Sequence, residues 1–398
     1  MEQQFERLAS VMKQITGYIY PNEVELHWGL LVVIYPYITG LVAGAFILAS
    51  LEKVFRVKEV EPTYRLALLT ALSFLIVAPM PLLAHLGHPE RAFEIFLTPH
   101  FKSAMAMFGF VYAWYLMVVL LLEIWFEYRV DVVRWGAAEK GLRRWIHYAI
   151  TFGSRDLSER AVRFDKKAVQ VITIIGIPSA FLLHGYVGFI FGSVKANPWW
   201  SSVLMPIVFL FSAIVSGISL VLLLYYISTL LRRQEPKMDC LNKLASFLFY
   251  VLIVDFSLEL LDFIHRVYES EESIQILREL IYGKLWLSLT IVQILLGTIG
   301  PLVLLAVSRF SHRLPSELKR VGYFIAALLV QVGIFSTRWN VVIGGQLFSK
   351  SLRGLTVFKL QLSGMEGLLT GIGFLVAPFV ILVVLVKLLP PWEERRTA

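Results

Sequence analysis

An all-α integral membrane protein is the fold class this sequence predicts, and three observations predict it. Hydrophobic residues make up 57% of the 398-residue chain and charged residues only 17%, too little polar material to cover a soluble globule. The mean hydropathy is +0.70. Apolar runs long enough to cross about 30 Å of hydrocarbon recur along the whole chain, each needing about 20 helical residues. They number about nine, between eight and ten, in one polytopic membrane domain over residues 1–398.

The first run, 29–51, follows a polar segment that lacks the order of a cleavable signal, so it is expected to stay in the membrane and act as the insertion signal. Gly40 and Gly44 in this run, and Ser212, Ser216 and Gly217 in the fifth (201–227), are small residues that let helix backbones approach. "LVAGAFIL" and "IVSGISLV" in these two runs resemble each other and hint at two related helix bundles. The second run, 64–86, leads into a turn with His85 and His88, and the third covers 103–126. Before the fourth run (168–194) lies a basic loop, 127–167, with Trp135 and Trp145, part of it a candidate amphipathic surface helix.

The sixth run, 245–265, carries Asp255, Glu259 and Asp262 at i, i+4 and i+7 on one helical face, leading to His265 and Arg266. Each ionised carboxylate near the bilayer centre costs about 3 kcal/mol on insertion scales. The stripe must therefore face protein or water, as a proton relay or as a polar network that fixes helix packing. The remaining runs fall at 284–308, 321–338 and 366–389. The eighth leaves the membrane through "FSTRWNVVIGGQLFS", where Arg338, Trp339 and Asn340 stand beside Gly344 and Gly345. That stretch reads as a pocket rim, a docking surface, or a snorkelling arginine with an aromatic anchor. The glycine pair is expected to let the chain turn tightly.

Of the 37 Lys and Arg residues, 25 fall on one set of alternate loops. That side is expected to be cytoplasmic. Nine spans in a cytoplasmic membrane then place the N-terminus outside and "PPWEERRTA" inside. The net charge of +8 is accounted for by this orientation, and no nucleic-acid partner is expected. His27, His85, His88, His100, His184 and His265 gather toward the outer side, whereas His147 and His312 lie inside. The single cysteine, Cys240, excludes an intramolecular disulfide and a cluster held by about four thiolates. Any iron–sulfur centre must belong to a partner, and no metal site is expected in this chain. Haem is a rival use of the histidines, although only His184 sits well inside an apolar run.

Four stretches in order resemble one family. "HWGLLVVIYPYITGLVAGAFILAS", "HLGHPERAFEIFLTPHFKSAMAMFGF", "HGYVGFIFGSVKANPWWSSVLMPIVFLFSAIVSG" and "RWNVVIGGQ" are similar to the NrfD/PsrC family, the membrane subunits of polysulfide reductase and related complexes. Within it they resemble the Dsr/Hme-type (DsrP-like) and hydrogenase-2-type (HybB-like) branches. The turn motif falls on His85, Gly87, Pro89 and Arg91.

The resemblance implies a haem-free bundle exchanging electrons between a membrane quinone, here menaquinone, and a peripheral four-cluster ferredoxin-like subunit. Its setting would be sulfur-linked metabolism, with further cytochrome and heterodisulfide-reductase-like subunits; in the hydrogenase branch, electrons from hydrogen would reduce the quinone. By the same resemblance the quinone pocket draws on His27 with Asn22, and on Tyr186 beside His184, with Arg338, Trp339 and Asn340 at its rim. The chain would be a subunit of an oxidoreductase complex, not a stand-alone enzyme. Two other classes stay open: a secondary transporter or proton channel using the acidic stripe with helices broken at Pro178 and Gly300–Pro301, and a purely structural anchor.

Overall fold

The structure is a computed structural model that describes residues 6, 9–24, 26–270, 273–311 and 313–392, apart from the side chains of 104–106 and 108. His312 and most of "PPWEERRTA" lie outside the described residues. Nine helices among the described residues are long and apolar enough to span a membrane: α1 Leu30–Lys53, α2 Lys58–His85, α3 Gly109–Ala138, α4 Glu159–Gly192, α5 Met205–Leu231, α6 Met238–Glu269, α7 Trp286–Phe310, α8 Ser316–Leu347 and α9 Leu368–Leu388. The side on which α1 begins is here the upper face, and the side carrying the basic loops is the lower.

Most helices overrun the apolar segments that announce them, because a helix goes on hydrogen-bonding its backbone after it leaves the hydrocarbon. Thus α3 continues to Ala138 and α4 starts at Glu159, so most of the basic stretch 127–167 is helical. The rest holds a short helix, Leu142–Ile150, whose Leu142 and Trp145 are exposed while His147 is buried. Pro178 lies inside the continuous α4, and α7 runs through Gly300–Pro301, so neither proline breaks its helix.

α1 to α4 pack as one four-helix group and α5 to α8 as a second, with α9 laid against α2 and α1. The groups meet where α1 crosses α5. A Cβ on Gly44 would run into the backbone at Ala213 and Gly217, and one on Gly217 would run into Gly44, so only glycine permits this approach. The two glycines occupy matching places in "LVAGAFIL" and "IVSGISLV", so the corresponding residues of the two groups touch each other. α7 and α8 cross in the same way at Gly297 and Gly333. Gln331 of α8 ties the groups together, accepting from Tyr37 (2.6 Å) on α1 and donating to the Ser216 carbonyl (2.7 Å) on α5. On the upper face, strand β1 (Thr16–Tyr18) pairs antiparallel with β2 (Arg353–Leu355), fastening the segment before α1 to the loop between α8 and α9.

Candidate functional site

Arg338 is completely buried, about two turns from the upper end of α8. A guanidinium there needs partners, and the sequence supplies them on three other helices. Its Nη2 donates to Ser212 Oγ on α5 at 2.5 Å and meets His184 Nε2 on α4 at 3.1 Å. The other ring nitrogen of His184 lies 3.3 Å from Thr39 Oγ1 on α1. Both guanidinium and imidazole lie against the ring of Phe209. Nε and Nη1 of Arg338 and Oδ1 of Asp255 have no hydrogen-bond partner among the described residues, and Asp255 and Glu259 are the acidic neighbours of the guanidinium.

The acidic stripe of α6 therefore divides along its length. Asp255 is buried toward Arg338. Glu259 and Asp262 line a cavity of about 350 Å³ between α5, α6, α7 and α8. Asp262 pairs with Arg266 and accepts from Ser202. His265 turns away, 3.4 Å from Glu269 and 38% exposed.

Trp199, Phe209, Phe256, Phe263 and Trp286 wall the cavity. A directed hydrogen-bond chain serves its polar side. Ser288 donates to Asn340 Oδ1 (2.6 Å), Asn340 Nδ2 to Gln293 Oε1 (2.7 Å), and Gln293 Nε2 to Glu259 Oε2 (3.2 Å). With Glu259 as a carboxylate the amides run in this one direction, and its oxygen is the acceptor at the end of the chain.

Asn340 reaches this position because α8 widens into π-type turns over Asn340–Gly344, a departure common at functional sites. Widening frees carbonyls, and the upper loop provides donors: Trp199 Nε1 to the Asn340 carbonyl (2.8 Å), Trp200 Nε1 to Val341 (2.6 Å) and Asn197 Nδ2 to Gly345 (2.7 Å). A Cβ on Gly345 would overlap the Trp200 indole, and one on Gly344 would lie 2.8 Å from Leu285. Both glycines are helical, with φ of −55° and −65°. The pair is there for close approach and not for a turn.

Arg338, Trp339 and Asn340 follow one another at about 100° around the helix, so they point three ways. Arg338 enters the core and Asn340 faces α7. Trp339 lines a separate, largely apolar groove of about 620 Å³ with Tyr37, Phe335 and Phe379. His27 and Asn22 are exposed in the upper segment before α1, and Tyr186 is half-buried on α4, where it packs against Phe189. Neighbouring Trp28 stacks on Trp200. His85 meets Glu366 at 2.5 Å, Pro89 and Arg91 form a short exposed turn, and Gly87 is in open space. The structure thus joins His184, Arg338, Asn340, Asp255 and Glu259 in one region and leaves the turn motif on the surface.

Thr39, Ser288 and Gln293 are the members that sequence reasoning passed over, and Ser212 was read only as a small packing residue. The hydroxyls look like ordinary small membrane-helix residues, and only Gln293, a lone amide in "WLSLTIVQILLG", offered a signal. Three proteins show what this chain is similar to. It is 32% identical over 324 residues to a selenate reductase subunit of Mesobacillus selenatarsenatis, covering 79% of this chain and 73% of that protein. It is 30% identical over 196 residues to a putative dimethyl sulfoxide reductase membrane subunit of Halobacterium salinarum, covering 49% and 42%. It is 24% identical over 203 residues to protein NrfD of Escherichia coli, covering 50% and 59%. The family description "Polysulphide reductase, NrfD" matches residues 21–350, across both four-helix groups and the buried arginine, and the chain belongs to the NrfD family.

Proposed function

We propose that this chain is the quinone-interacting membrane subunit of a respiratory reductase complex, passing electrons between menaquinol and an iron–sulfur partner on its upper face. The observation that carries the reading is the aromatic-walled cavity of about 350 Å³ whose polar side ends on Glu259, held by Gln293 and backed by Arg338. A quinone ring suits such a site, with stacking surfaces around it and hydrogen-bonding groups at one end. Glu259 takes the proton of the ring hydroxyl, Arg338 stabilises the carboxylates on either side of that transfer, and Asp255 and Asp262 carry protons onward. When bound, the quinone supplies the redox chemistry.

Both ring nitrogens of His184 have protein partners, which favours this reading over haem ligation. His27, Asn22 and Tyr186 form a second place for headgroup contact, near the surface that the partner would cover. Phe93, Leu97 and Phe101 are exposed on that side and suit the docking of a four-cluster ferredoxin-like subunit. The names of the relatives favour a selenate-type or sulfoxide-type reductase. Cytochrome and heterodisulfide-reductase-like subunits belong to the sulfur-linked version of the proposal.

The test is lipid extraction, absorption spectroscopy and quinol turnover on the complex purified with its natural partners. Near-stoichiometric quinone is expected, and Glu259→Gln should depress quinol turnover by about a hundredfold, the scale of a lost general base, while the complex still assembles. Equal loss in His27→Ala or Tyr186→Phe would add the surface site to the path. Absence of quinone, with a haem signal that follows this chain expressed alone, would overturn the reading.

A further inference from the structure

The first four-helix group holds a buried carboxyl that the quinone reading does not use. Glu123 lies on α3 and is fully buried. Its Oε1 accepts from Tyr64 on α2 (3.1 Å) and Thr173 on α4 (2.8 Å). Its Oε2 has no hydrogen-bond partner among the described residues, and neither does the hydroxyl of buried Tyr115 on the same helix. No cation forms an ion pair with Glu123 among the described residues. A fully buried carboxyl with no cation in contact and one oxygen without a partner is a place to bind a proton, because burial penalises the charged form more than the hydroxyls beside Oε1 support it.

A route to the lower face is present. Glu123, Glu127 and Asp131 follow at i, i+4 and i+8 on one face of α3. Their side-chain exposure rises toward the lower face, from a buried Glu123 to 13% for Glu127 and 27% for Asp131. Arg65 bridges the outer two at 2.9 and 2.8 Å, and Lys53 lies 3.4 Å from Glu127. The titratable groups around Glu123 are thus Lys53 and Glu52 on α1, Tyr64 and Arg65 on α2, and Glu127 and Tyr115 on α3, with α4 contributing Thr173. Toward the upper face the path is closed by apolar packing. The Phe46 ring meets Tyr115 edge-on at 5.6 Å, and a Cβ on Gly176 would overlap Phe46 and come within 2.9 Å of Val119.

We propose that Glu123 is a proton-binding site of the first bundle, loaded from the lower face through Asp131 and Glu127 and closed from the upper network by Phe46. The step is uptake of a solvent proton by a carboxylate and its later return, with no electron transferred. The inference does not depend on the quinone reading.

Infrared spectroscopy of the full chain with its natural partners in lipid nanodiscs tests it. A protonated-carboxyl C=O absorption is expected that shifts in D2O, disappears in Glu123→Gln and changes frequency in Glu123→Asp. Glu127→Leu should slow its exchange severalfold while Asp255→Asn leaves the rate unchanged. If Glu123→Gln fails to fold, the Glu123→Asp frequency shift carries the test alone. The proposal is overturned if folded Glu123→Gln keeps all of that absorption, if Glu123→Asp leaves the frequency unmoved, or if Asp255→Asn slows exchange and Glu127→Leu does not.

Discussion

Arg338 shows how much of a buried charge is decided by residues that carry none. Its guanidinium is held by Ser212 and His184, and Asp255 and Glu259 are the nearby acidic groups. Removing it leaves two carboxyls facing a core built around a cation. Breaking a buried charge arrangement from one side costs about 3–5 kcal/mol. Arg338→Gln should therefore lower the midpoint of thermal unfolding in detergent strongly, and Arg338→Gln with Asp255→Asn should recover part of the loss. A double variant no more stable than the single would show that Asp255 is not the compensating charge. Arg338 was visible in the sequence because an arginine at the end of an apolar run is conspicuous. Of its anchors, His184 was visible as a lone histidine inside an apolar run, whereas Ser212 reads only as one of the small residues that line most membrane-helix contacts.

At the scale of helices, glycine separates contacts that must be close from places that are merely open. Gly44 and Gly217 stand backbone to backbone where α1 crosses α5, whereas Gly87 has nothing within 4 Å of where a Cβ would sit. Gly217→Ala or Gly44→Ala should cost about 1–3 kcal/mol, the range for forcing atoms into a packed core. Gly87→Ala should stay within about 0.5 kcal/mol, as surface changes do. Unfolding midpoints of the three variants measure this, and an unchanged midpoint for Gly217→Ala would mean that the crossing relaxes at little cost.

The small-residue pattern announced this crossing, and hydropathy announced every span. Hydropathy could not announce where the helices stop. α3 runs on through Glu127 and Asp131 to Ala138, and reading that stretch as loop hid the alignment of both with Glu123. The π-type turns at Asn340–Gly344 were hidden too, because they depend on indole donors about 140 residues away in sequence.

For the whole molecule, the question is which face meets which compartment, because the two buried acidic regions lie toward opposite faces. The cavity with Glu259 and Asp262 lies toward the upper ends of α5 to α8, and Glu123 communicates with the lower. From the excess of Lys and Arg on the lower face we propose, by the positive-inside rule, that it meets the cytoplasm; the upper cavity would then exchange protons with the outside. Thiol labelling checks this assignment directly, because Cys240, the only cysteine, is 1% exposed and should stay silent toward a membrane-impermeant thiol reagent. His88 on the upper turn and Arg155 on the lower loop are both exposed. In intact cells, His88→Cys should label and Arg155→Cys should label only after the membrane is opened. The reverse pattern would turn the molecule over, placing the basic loops outside and the proposed quinone cavity toward the cytoplasm. Protons released at Glu259 would then stay within the cell, while Glu123 would draw its protons from outside. The labelling result therefore fixes the sign of any charge movement before an electron-transfer rate is measured.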